Sequence, residues 1–124
     1  MKENVVLDKS VEFAVRIVRL GQYLKSEKNE YVLSKQILRS GTSIGANVTE
    51  ANDAISKADF LSKIYIALKE CAETLYWLQL LIRTDYLTQE QYDSMSSDCL
   101  ELKRLLTTIA KSTRASIQRG KTHD

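Results

Sequence analysis

The chain has 124 residues, one domain's length; its 44% hydrophobic and 27% charged residues support a core and exclude a disordered chain. The formal charge of +2 neither requires nor excludes a nucleic-acid partner. Proline is absent, although average usage would place about six in this length. A chain without proline favours a few long helices with short links. No stretch suits a secretory or membrane-spanning segment, and the two cysteines lack C-x-x-C spacing, so a cytoplasmic protein with reduced thiols is expected.

The first helix is expected over about residues 9–25, after Asp8 as N-cap. Phe13, Ala14, Ile17, Val18, Gly21 and Leu24 form its apolar stripe at spacings of three and four. A polar link, Ser26-Glu27-Lys28-Asn29, leads to a second helix over about 30–54, with Leu33, Ile37, Ile44, Val48, Ala51 and Ile55 on its apolar side. The third, over about 57–84, opens on S-K-A-D, a capping-box-like start at Ser56, and buries Phe60, Ile64, Ala67, Leu68, Cys71, Leu75, Leu78 and Ile82. The fourth, over about 89–118, opens on T-Q-E-Q at Thr88 and carries Tyr92, Met95, Cys99, Leu102, Leu106 and Ile109; residues 119–124 read as a polar tail. Short links make neighbouring helices antiparallel, so the expected fold is all-α, an up-down-up-down four-helix bundle in a single domain.

The second helix holds two glycines, several serines and an asparagine among its apolar positions, poor helix formers that only close packing would keep helical. Gln36, Ser40, Ser43, Asn47 and Glu50 form a polar stripe beside the apolar one. Two readings of it stand: side chains hydrogen-bonded within a close helix contact, or a polar groove for a small molecule or RNA.

The third helix is apolar beyond one stripe. Ile66, Trp77, Leu80 and Leu81 mark a surface for self-association, with Glu70 and Glu73 there to pair across subunits with Arg39; the alternative is a broad core stripe. Charge in the fourth helix is acidic early (Glu90, Asp93, Asp98, Glu101) and basic late. Lys103, Arg104, Lys111, Arg114 and Lys121 share about 100° of arc, and Arg16 and Arg19 on the first helix are candidates to extend them. This stripe is either a phosphate-binding face or a solvated face complementing the helix dipole.

The sequence offers no catalytic or metal-binding constellation. The lone histidine, His123, sits in the tail; Glu70 and Glu73 have no histidine partner for a di-iron site; Gly41 to Gly45 lacks the lysine of a phosphate loop. No enzyme activity, cofactor, metal or small-molecule substrate is expected. Cys71 and Cys99 fall on core stripes within about a turn of each other in an antiparallel pair, read as buried free thiols, with a disulfide geometrically conceivable.

The run S-K-Q-I-L-R-S-G-T-S-I-G-A-N-V-T-E-A and the later S-K-A-D-F-L-S-K-I-Y-I-A-L-K-E-C-A-E-T-L-Y-W-L resemble a bacterial family of four-helix bundle proteins, whose founding members are encoded in intervening sequences within 23S ribosomal RNA genes. The likeness runs from about Lys9 to Ile109; Thr49 stands where many members carry an acidic residue. It implies a homopentamer. It also brings in a relative, the accessory variability determinant of diversity-generating retroelements, which binds RNA and a reverse transcriptase. The expected partners are therefore further copies of the chain and an RNA or ribonucleoprotein, with no membrane. A protein-interaction scaffold without nucleic-acid binding is the alternative.

Overall fold

The computed structural model describes residues 2–123, with side chains described over 5–121. Four helices follow one another: α1 (Lys2–Lys28), α2 (Leu33–Asn52), α3 (Lys57–Arg83) and α4 (Gln89–His123). α1 packs on α2, α2 on α3 and α3 on α4, while α4 meets α1 along a sparser seam. The antiparallel run is visible in the contacts: Arg39 of α2 reaches Glu73 of α3, and Glu50, further along α2, meets Lys63, earlier on α3. The result is an all-α antiparallel four-helix bundle.

Local chemistry explains the joints. α3 begins where Ser56 Oγ accepts the Asp59 amide at 3.0 Å, and the Asp59 carboxylate accepts the Ile55 amide at 3.4 Å. α4 begins with a reciprocal box: Thr88 Oγ1 accepts the Gln91 amide at 3.1 Å while Gln91 Oε1 accepts the Thr88 amide at 2.9 Å. α1 and α3 are each followed by a residue in the left-handed region, Asn29 (φ 54) and Asp85 (φ 69). That conformation turns the next amides back, Glu30 N onto Leu24 O and Tyr86 N onto Leu81 O, both at 2.9 Å.

Several boundaries differ from the pattern-based expectation. α1 starts at Lys2, not after Asp8, because Val6 and Ser10 continue the buried stripe one turn earlier. α2 starts at Leu33: Glu30 stays outside and its buried carboxylate caps the helix, accepting the Ser34 amide at 2.8 Å and the Val32 amide at 3.3 Å. α2 ends at Asn52, so Ile55 lies in the link, 95% exposed, and not on the core stripe. Val18 faces outward rather than into the core. α4 runs on through the expected tail to His123, whose side chain lies outside the described residues.

The core joins Phe13, Ile17 and Leu24 of α1, Ile37, Ile44 and Val48 of α2, Ile64, Leu78 and Leu81 of α3, and Leu102 and Leu106 of α4. Close approach of α2 to α1 depends on missing side chains: a Cβ on Gly41 would sit 2.7 Å from Ile17 Cγ1, and one on Gly45 would sit 3.2 Å from Ser10 Oγ. Between α2 and α3, the buried hydroxyls of Ser40 and Thr74 bond each other at 2.9 Å. Cys71 and Cys99 are buried free thiols, with Cys99 Sγ 3.5 Å from the Cys71 carbonyl. The hydrogen bond to Cys71, and then burial, push the Cys99 thiol far above its ordinary range, which keeps it protonated and unreactive.

A candidate nucleic-acid interface on the fourth helix

The polar stripe of α2 folds back on its own helix. Ser43 donates to the Arg39 carbonyl at 2.6 Å and Asn47 to the Ser43 carbonyl at 2.9 Å, while Ser40 is spent on Thr74 and Glu50 pairs with Lys63 at 3.5 Å. Ser43 and Asn47 are thus satisfied by the backbone of α2, and Ser40 and Glu50 by α3, in line with the packing reading of the stripe.

The expected assembly surface on α3 is rearranged by the same contact. Leu81 is fully buried in the core and unavailable to a partner. Ile66, Trp77 and Leu80 are half-buried, and Trp77 packs against the core with Tyr76 edge-on at 4.9 Å. Glu70 and Glu73 pair with Arg39 of the same chain, at 3.5 and 2.6 Å. Antiparallel neighbours place α2 residue 39 level with α3 residues 70 and 73, so the charges meet at home. Burial, and then the neighbouring Glu73 carboxylate, raise the Glu70 carboxyl above its ordinary value; the hydrogen bond from Arg39 lowers that of Glu73. Two buried atoms of this flank, Glu70 Oε1 and Trp77 Nε1, lack a hydrogen bond; Glu70 Oε1 still faces Arg39 at 3.5 Å, too poorly aligned to count as one.

Lys103, Arg104, Lys111, Arg114 and Lys121 are all exposed on α4. Arg114 stacks over the Tyr65 ring, 5.5 Å from its centroid, and donates to the Tyr65 hydroxyl. Lys57, the first residue of α3, donates to Ser116. These contacts hold α4 against the start of α3. Beyond Ser116, α4 continues through Arg119 and Lys121 to His123, about 10 Å of helix at 1.5 Å per residue. Among the described residues Lys103, Arg104 and Lys111 form no ion pair.

Helix α1 does not extend this stripe. Arg16 bonds Asp98 at 2.5 Å and Ser94 Oγ at 2.8 Å, beside the acidic half of α4. Arg19 borders the same shallow depression as Gln91 and Met95. Twenty residues of helix separate Gln91 from Lys111, about 30 Å, so antiparallel packing sends the α1 arginines to the wrong end. Lys9 and Glu101 complete the seam at 3.5 Å.

Pattern reading missed two features. Tyr65 as partner of Arg114 has no signal in a one-dimensional pattern, since 49 positions separate them. The outward row Val11, Val15, Val18 on α1 did carry one, a second apolar spacing of four and three beside the core stripe.

Fold and surface together define a class: an antiparallel four-helix bundle whose most distinctive surface is a basic end of its longest helix. The family described as 23S rRNA-intervening sequence protein matches residues 2–108, and the chain belongs to it. The chain is also similar to a solved structure from Bacteroides thetaiotaomicron, described as a protein with unknown function from the S23 ribosomal protein family. The two share 62% identity over 90% of this chain and 99% of that one, with a TM-score of 0.88. No curated protein matches the chain. The family match ends inside α4, so Lys111, Arg114, Arg119 and Lys121 lie beyond it.

Proposed function

We propose that this protein is a non-enzymatic, cytoplasmic bundle that associates with copies of itself, as the resemblance to pentameric relatives suggests, and binds RNA, free or within a ribonucleoprotein, through the basic face of α4. The observation that carries the reading is charge left unspent. Lys9, Arg16 and Arg39 are answered by carboxylates; of the cations that are not, Lys103, Arg104 and Lys111 are gathered on one exposed face of a single helix. Cations held on a rigid helix at turn spacing suit a phosphate backbone, and few aromatics on this face are free for stacking, so shape and charge dominate over base readout. Among the described residues no helix is long and apolar enough to cross a membrane, in keeping with partners in solution.

The test is binding of a labelled RNA across salt concentrations. Five phosphate contacts on a single strand predict a slope of log affinity on log salt of about −3.5. Lys111→Glu with Arg114→Glu weakens binding by more than tenfold and flattens the slope while the fold persists. Unchanged affinity in that double variant would discard the α4 stripe as the binding face, whereas a wild type that shows no salt-dependent RNA binding would select the scaffold reading, in which these cations are solubilising and complement the helix dipole.

A further inference from the structure

α1 presents a row of valines to solvent. Val11, Val15 and Val18 are 51, 47 and 40% exposed, and with Ala14 they make a ridge turned away from Phe13, Ile17 and Leu24. Single exposed valines are ordinary, but successive turns of them on one face are not. Elsewhere on the bundle, α3 and α4 leave an open groove walled by Ala72, Leu75, Tyr76, Tyr92 and Leu100. Both surfaces end in opposite charges. The ridge has Asp8 at one end and Arg19 at the other, eleven residues or about 16.5 Å apart. The groove has Asp93 and Lys103 along α4, ten residues or about 15 Å apart. All four side chains are outside the ion pairs of the chain, with Asp93 accepting only from Gln89 of its own helix.

We propose that the valine ridge of α1 seats in the α3/α4 groove of a second copy of this chain, with that α1 antiparallel to the α4 it covers. In this direction Asp8 meets Lys103 and Arg19 meets Asp93; the reverse direction sets like charges together at both ends. The register follows from the matched spans, and the apolar middle then loses its water. Ridge and groove are different surfaces, so the contact is head to tail. Every added copy keeps one ridge and one groove free until the chain of contacts closes on itself. This rests on the self-association in the function proposed above and moves it from the α3 flank, where Arg39 already closes the charges, to α1 and the α3/α4 groove. Lys103 serves the neighbour, and Arg104, Lys111, Arg114 and Lys121 remain for the RNA, so in the assembled protein four phosphate contacts bring the expected salt slope to about −2.8.

Light scattering on the full chain tests it. The wild type is expected at a multiple of 14.1 kDa. Val15→Arg, which spoils the ridge, and Leu100→Arg, which spoils the groove, each give the 14.1-kDa species with an unchanged far-UV circular dichroism spectrum. Mixed together they form a dimer and nothing larger, because the pair retains one good ridge and one good groove. Arg19→Asp weakens the assembly at least tenfold, and Asp93→Arg in the same chain restores it. An oligomer that survives Val15→Arg, or a mixture that stays monomeric, overturns this surface and leaves self-association standing. A wild type of 14.1 kDa at every concentration overturns self-association itself, and the RNA titration is read separately in either case.

Discussion

α2 and α4 are held in the bundle by different means. α2 has 20 residues and is gripped from both sides, by α1 against Gly41 and Gly45 and by α3 through Ser40 and Thr74. α4 has 35 residues, packs firmly on α3 and meets α1 more sparsely, with two partly exposed ion pairs across the seam. Poor helix formers are tolerated in α2 because Gly41 and Gly45 let α1 approach closely and Ser40 bonds α3. α4 needs no such approach on its α1 side, where polar side chains meet across the seam, and its basic residues stay exposed towards its far end.

The comparison can be broken first at Gly41. Gly41→Ala drives a methyl into the branch of buried Ile17 and is expected to destabilise by about 1–3 kcal/mol in chemical denaturation, despite alanine's better helix propensity. Gly21 on α1 is the control: a Cβ there meets nothing within 4 Å, so Gly21→Ala should stabilise by about 0.5–1 kcal/mol. A loss at Gly21 equal to that at Gly41 would mean that α2 is not special. On the α4 side, Arg16→Ala should cost only about 0.2–1 kcal/mol, shrinking as salt is added, since the Arg16–Asp98 pair is partly exposed to solvent.

The smallest effect concerns pH. Glu70 has a raised folded-state pKa, so the folded protein holds its proton more tightly than the unfolded chain does. Stability from this group is full below its ordinary value of 4.5 and is lost as pH rises through the folded value. Glu73, lowered by Arg39, works in the opposite sense, its contribution present above 4.5 and lost as pH falls through its folded value. Glu70→Gln should remove the first trend. Thermal melts of wild type and variant should then diverge as pH rises above 4.5, with the variant gaining.

Much of the architecture was readable from local signals. The capping boxes at Ser56 and Thr88 formed with the expected partners because capping involves only residues three or four apart. The cysteine neighbours and the packing of the α2 small-residue face also followed, since short links leave antiparallel pairing as the sole arrangement. The errors came from groups whose environment is set by other helices. Ile55 looked like the next turn of α2 until the chain left the helix at Asn52. Leu81 looked like spare apolar surface until α3 turned it fully inward. The α1 arginines looked like part of the basic stripe, and the antiparallel seam gave Arg16 to Asp98.

Periodicity and end signals were enough to dictate four helices, their order and their antiparallel pairing, because those properties depend on neighbours within a turn or across a short link. Whether a given charge finds its counter-charge inside the chain or waits for another molecule was a matter of level and rotation between helices, which no pattern along one strand of sequence encodes. That is why Arg39 proved satisfied at home, while the valine row of α1 and the cations of α4 were left facing outward.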